Sequence, residues 1–333
     1  MLKKWIGIFV IIAIIGGGLY WYAGQQSSKK VKAELDQFIT EFESTGQGKL
    51  SYDDACVGLL GQKIYVHNVL FEPSDSTEAT VAIETLTVSK LDLTSDEEKL
   101  PDEVHLDINN AVVTINDFDS YLGDAKPLEA DILRSIMTVS DNTAELSYDA
   151  EVGYALNNKT KVLDIYTNYD IPKLLTANFS VNLGQMPDFS SLDLTDDSAT
   201  LDAFSKATLK QLNIRFDDAG VMKKIYQAGI KDPSTVQLLQ AQGKEANVEN
   251  LKQMILAELD TQAQNPMAAD NPLMQTILEQ SRQFITNDSP QLDVSIKTKQ
   301  DEGLSFDDLL MLALMGAHPD AVNELLDIDI QVK

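Results

Sequence analysis

The sequence predicts an α+β protein: an antiparallel β-sheet meander packed on one face by helices and preceded by one N-terminal transmembrane helix. Three observations carry that reading. Residues 5–28 hold no charged side chain, residues 48–184 are dominated by apolar–polar alternation of period two, and residues 185–333 turn to helical spacing and helix caps, with strands returning near 290–298 and 327–332. With 333 residues, 44% of them hydrophobic, the chain can bury a real core.

The N-terminal elements come first. Residues 1–4 form a short cytoplasmic leader carrying Lys3 and Lys4, and residues 5–24 a transmembrane signal anchor. Residues 5–22 read WIGIFVIIAIIGGGLYWY, about 27 Å long at ~1.5 Å per helical residue, close to the thickness of a bilayer core. The Ile, Leu, Val and Phe side chains favour insertion by about 3–5 kcal/mol in all. Trp5 at one end and Tyr20, Trp21 and Tyr22 at the other stand where aromatic belts stand. Trp21 and Tyr22 also occupy positions where signal-peptide cleavage requires small residues, which argues for retention. Lys29, Lys30 and Lys32 nearly balance the leader's charge, so orientation is taken from class: a single N-terminal anchor with a short charged leader exports the domain behind it. Residues 25–47 read as a stalk helix, with Val31, Leu35, Phe38, Ile39 and Phe42 on one stripe and Gly46 and Gly48 ending it. That stripe suits either docking on the protein's own domain or a partner helix.

The remaining residues, 48–333, form the exported domain. Its strand-rich part, 48–184, has strands at 49–52, 64–71, 81–93 and 104–115, then a helix with Leu128, Ile132, Leu133, Ile136 and Met137 on one face. A hairpin comes next. Leu146, Tyr148, Ala150, Val152, Tyr154 and Leu156 alternate, Asn157 and Asn158 turn the chain, and Leu163, Ile165, Tyr169 and Ile171 return; Phe179, Val181 and Leu183 extend the meander. The face with Tyr148, Val152 and Leu156 is expected inward, with Ser147, Asp149 and Glu151 in water.

The helix-rich part, 185–333, is read as one helical layer. Leu201, Phe204 and Leu212 lie on a stripe begun near Ser198. Asp232-Pro233 and Asn271-Pro272 each place an N-cap before a first-turn proline, and Val248, Leu251, Ile255 and Leu259 form another stripe. Leu292, Val294 and Ile296 form a strand, an apolar helix spans 305–316, and Ile328, Ile330 and Val332 alternate with Asp327, Asp329 and Gln331 in a last strand. Because strands flank the helical stretch, 48–333 is kept as one body.

Three segments carry a family resemblance. GKLSYDDACVGLLGQKIYVHNVLF (48–71), behind a lysine-flanked anchor and a short helix, resembles the opening of AsmA-like and YdgA-type envelope proteins. AELSYDAEVGYALNNKTKVLDIYTNYDI (144–171) and NIRFDDAGVMKKIYQAGI (213–230) are similar to the middle of YdgA-type proteins. The resemblance implies a Gram-negative inner-membrane protein with a periplasmic antiparallel sheet, and it supplies no catalytic residues.

Composition narrows the chemistry. Acids outnumber bases 52 to 26, a net charge of −26 that repels phosphate, so no nucleic-acid partner is expected. Cys56 is the only cysteine, so no internal disulfide can form. His67, His105 and His318 show no metal-ligand spacing to one another or to Cys56, no nucleophile elbow or phosphate loop occurs, and the acidic pairs lack a calcium-loop pattern. No catalytic, cofactor or metal residue is assigned, and the protein is read as non-catalytic. The apolar helix near 305–316 wraps hydrophobic side chains around its circumference, and Leu309, Leu310, Leu314 and Met315 are the candidate surface for an apolar ligand or partner. The expected role is envelope maintenance, through a lipidic ligand or an inner-membrane partner. The alternatives are an assembly subunit that oligomerises through the stalk or sheet edges, and an envelope hydrolase.

Overall fold

The computed structural model describes residues 28–58, 63–74, 79–89, 102–123, 125–189, 204–269, 271–288, 290–314 and 319–333. The anchor expected at 5–24 lies outside them, and no helix among the described residues is long and apolar enough to cross a membrane. The architecture is α+β and the sheet antiparallel, with strands hydrogen-bonded in the order β1 (Gly48–Ser51), β3 (Lys63–Pro73), β4 (Ala79–Ser89), β5 (Glu103–Ile115), β7 (Thr143–Asn157), β8 (Val162–Ile171), β9 (Leu175–Gly184), β10 (Thr208–Asp218), β11 (Gln291–Thr298) and β13 (Leu326–Val332), while β2 (Asp54–Val57) pairs β3, β6 (Thr138–Ser140) pairs β7 and β12 (Leu304–Ser305) pairs β10. The chain divides into two compact units that interleave in sequence. The first contains Met1–Asn116, Ser147–Thr167 and Leu183–Ala207, and the second Asp117–Leu146, Asn168–Asn182 and Thr208–Lys333.

In the first unit, helix α1 (Ser28–Ser44) precedes β1 (Gly48–Ser51), β2 (Asp54–Val57), β3 (Lys63–Pro73), β4 (Ala79–Ser89) and β5 (Glu103–Ile115). The core is made of rows of apolar side chains running across β3, β4 and β5: Ile64–Val88–Leu106, Val66–Leu86–Ile108, Val69–Ile83–Ala111 and Phe71–Val81–Val113. Between the second and third rows the alternation slips by one residue. Asn68 (φ 53°) and Asn110 (φ 51°) take the left-handed conformation there, which Asn tolerates better than other non-glycine residues. The helix expected as a stalk is docked: Val31, Leu35 and Phe42 are buried, and Phe42 meets Phe71 edge-on at 6.0 Å. The hydroxyl of Tyr52 donates to Asp36 Oδ1 at 2.7 Å, and Lys32 pairs with Asp54. With its apolar stripe covered by its own sheet, α1 keeps that face from a partner helix.

Strand β7 (Thr143–Asn157) buries Tyr148, Ala150 and Leu156 and exposes Ser147, Asp149 and Glu151, as the alternation requires; Val152 is half-buried because the pattern slips at Gly153. Asn157 Oδ1 accepts from the backbone N–H groups of Lys159 and Thr160, so the Asn pair opens the turn at 158–161, as expected. Strands β8 (Val162–Ile171) and β9 (Leu175–Gly184) complete the meander. Leu156, Leu163, Met186, Phe189 and Ala207 cluster in the first unit, with Tyr154, Leu183 and Phe204 against them.

The second unit holds α2 (Phe118–Tyr121), α3 (Pro127–Ile136), β6 (Thr138–Ser140) and β10 (Thr208–Asp218). It continues with α4 (Val221–Gly229), α5 (Pro233–Ala241), α6 (Val248–Ala263), α7 (Pro266–Ala269) and α8 (Pro272–Thr286), and ends in β11 (Gln291–Thr298), β12 (Leu304–Ser305), α9 (Phe306–Leu314), α10 (Pro319–Leu325) and β13 (Leu326–Val332). Strand β10 corrects the sequence reading, which put Leu212 on a helix and expected strands in 185–333 only near 290–298 and 327–332. Leu212, Ile214 and Phe216 alternate with Asn213, Arg215 and Asp217, a period of two that pairs residue for residue with β11. The caps are as expected: Asp232 and Asn271 accept from the N–H groups of Thr235 and Met274, and Asn247 caps α6 in the same way.

Candidate functional site

Within the second unit the sheet has two unlike faces. Asn213 donates to Ser180 Oγ at 3.0 Å and accepts from Ser295 Oγ at 2.9 Å, which puts these three side chains of β9, β10 and β11 on one face. Arg215, Asp217 and Asp293 continue it, and Lys333 and Gln291 donate to Asp293 Oδ2 at 2.8 and 2.7 Å. The hydrogen bond from Lys333 holds the Asp293 carboxyl below the usual carboxylate range, assisted by Gln291 and Arg215 and opposed by partial burial.

Period-two alternation then turns their neighbours to the opposite face, which is apolar. Phe179 and Val181 stand there on β9, and the register aligns Leu212–Ile296–Ile328, Ile214–Val294–Ile330 and Phe216–Leu292–Val332 across β10, β11 and β13. Helix α8 covers one end of this face, with Phe284 6.0 Å from Phe216 and Gln280 Oε1 accepting from the Val332 N–H. The rest is thinly covered. Ile214 is 38% exposed and Phe179 40%, and Leu212, Val294, Ile296, Ile328 and Ile330 are half-buried. A row of branched and aromatic side chains left partly in water is what an apolar ligand or partner could bury.

Of the four residues singled out from the sequence, Leu309, Leu310 and Leu314 belong to α9, which comes directly after β12 and so starts where β12 pairs with the first residues of β10. Leu309 is half-buried and Leu310 is 57% exposed, as is its neighbour Met311 at 54%. The Leu314 side chain and Met315 lie outside the described residues. Sequence reasoning found α9 but missed the sheet face, because β10 was read as helix.

A second arrangement, in the first unit, also escaped that reading. His105 and Asp107 share the face of β5 opposite the buried Val104, Leu106 and Ile108, and Glu151 stands exposed on β7. One ligand atom from each of the three lies within 4.8 Å of the others. His105 Nε2 faces Asp107 Oδ1 at 2.7 Å, and its Nδ1 is hydrogen-bonded to the Tyr166 hydroxyl from β8. The His105 and Asp107 side chains are 19% and 27% exposed. Gly153 makes room for this reach, because a Cβ there would lie 2.5 Å from Tyr166 Cζ. The available signal was the His105-x-Asp107 spacing, which puts both side chains on one face of a strand.

A family model described only as an uncharacterized protein matches residues 168–333, a span that begins where the middle stretch of the second unit begins. No curated protein matches the chain.

Proposed function

We propose that this is a non-catalytic, membrane-anchored envelope protein that holds an acyl chain of a membrane lipid on the apolar face of β9, β10, β11 and β13. The observation that carries the reading is that face: Phe179 and Ile214 stand partly in water at its centre, among half-buried Leu, Val and Ile side chains. The uncharged run at 5–24 supports a position beside the inner membrane, with the domain in the periplasm, in keeping with the resemblance to AsmA-like and YdgA-type proteins. Leu310 and Met311 on α9 add a second exposed apolar surface. A net charge of −26 favours a neutral or zwitterionic headgroup over an anionic one. Assembly through the stalk is less well supported, since Val31, Leu35 and Phe42 are buried on the protein's own sheet.

The test is mass spectrometry of lipid retained by the full-length protein extracted from membranes in mild detergent. The wild type is expected to carry lipid, and the double variant Phe179→Ser, Ile214→Ser to lose it while melting close to the wild type, because both side chains are already partly solvated. A wild type without lipid, or a folded double variant that keeps its full lipid content, overturns the reading.

A further inference from the structure

We propose that His105, Asp107 and Glu151 form a binding site for a divalent transition-metal ion of the zinc class, with Tyr166 as the positioning residue for His105. One imidazole and two carboxylates make a borderline-hard donor set that suits zinc, cobalt or manganese; calcium takes six to eight oxygens, and copper(I) seeks sulfur. Three protein ligands would leave one tetrahedral position open, the pattern of sites that bind water or a substrate atom rather than purely structural ones.

The distances fit after a small movement. Ligands at about 2.0 Å from a tetrahedral metal stand about 3.3 Å apart. The three ligand atoms already lie within 4.8 Å of one another, and His105 Nε2 and Asp107 Oδ1 need only part by a few tenths of an ångström from their 2.7 Å contact to reach that spacing. Without metal, one proton can sit on Nε2 and bridge to Asp107 while the Tyr166 hydroxyl donates to Nδ1. With metal, the proton sits on Nδ1, which donates a hydrogen bond to the same hydroxyl, because a phenol both donates and accepts. Histidine ligands commonly have such an outer partner, which sets the tautomer and the ring plane. Gly153 serves this arrangement directly, since any side chain there would collide with the Tyr166 ring and push it off His105.

An acidic protein collects divalent cations loosely at many carboxylates, so the experiment must separate one site from that background. Chelator-stripped full-length protein is titrated with zinc chloride by calorimetry, and with cobalt(II) by visible absorption. One saturable equivalent is expected. His105→Gln and the exposed Glu151→Gln should each weaken it at least tenfold, and Tyr166→Phe by about 10–100-fold. Asp307→Asn, an exposed acid of the second unit, should change nothing. Thermal melts show that each variant is folded, and Glu151→Gln carries the test should His105→Gln fail to fold. Absence of a saturable equivalent in the wild type, or isotherms unchanged by Glu151→Gln, overturns the proposal.

Discussion

Asp232 shows how much one side chain settles by itself. Its carboxylate caps α5 by accepting from the Thr235 N–H at 2.9 Å, and it also takes the Ser234 hydroxyl at 2.5 Å and the Thr235 hydroxyl at 3.1 Å. The Ser234 hydrogen bond, followed by the Thr235 N–H, lowers its pKa below the ordinary 3.8, against an opposing contribution from burial. A carboxylate with a depressed folded-state pKa adds stability that is present above the unfolded value and disappears as the pH falls through the folded one. Asp232→Ala should therefore melt below the wild type near neutral pH, and the gap should close as the pH falls through the depressed folded-state pKa of Asp232. A gap that stays constant with pH would mean that the charge of the cap contributes nothing. Such a cap was legible in the sequence because Asp232 and Pro233 are adjacent and the partners lie within three residues. The His105 cluster was not, because its members meet only when β5, β7 and β8 become neighbours in the sheet, and neither β7 nor β8 adjoins β5 in sequence.

At the scale of elements, period decided what could be read. Strands β3, β5, β7 and β13 stood out because apolar and polar residues alternate, α6 because of its stripe, and α5 and α8 because of their caps. Strand β10 was missed although Leu212, Ile214 and Phe216 alternate, since Leu201 and Phe204 upstream extend a plausible helical stripe to Leu212. The slip at Asn68 and Asn110 was equally hidden: it depends on left-handed backbone at two residues whose type permits but does not require it. Helix α1 was foreseen as a helix, and its stripe left docking and partnering equally open. The structure closes that choice, with Leu35 buried and Tyr52 reaching up to Asp36. Leu35→Ala should accordingly cost about 2–5 kcal/mol, as large-to-small changes in a core do. Gln37→Ala, on the exposed side of the same helix, should stay within about 0.5 kcal/mol. Equal tolerance in chemical denaturation would return α1 to the status of a free stalk.

For the whole molecule the largest illegible feature was the division into two interleaved units, because a boundary that passes through β7, β8 and β9 leaves no linker, no proline-rich stretch and no change of composition to mark it. Charge, by contrast, is legible in full and makes a global prediction. With 52 acids against 26 bases, lowering the ionic strength should strengthen the repulsion among carboxylates held close by folding. Ion pairs act in the opposite direction, since salt screens their attraction. The pairs Arg134–Asp119 and Arg282–Asp260, both 2.7 Å, have side chains between 33% and 65% exposed, and pairs of that kind contribute about 0–1 kcal/mol. Repulsion spread over an excess of 26 negative charges outweighs them. Raising sodium chloride from about 0.01 M to 0.1 M shortens the screening length from about 30 Å to about 10 Å, from the span of a domain to that of neighbouring side chains. The melting temperature of the full-length protein should therefore rise across that range and level off above it. A fall over the same range would show that the ion pairs, and not the net charge, govern the electrostatic stability of this fold.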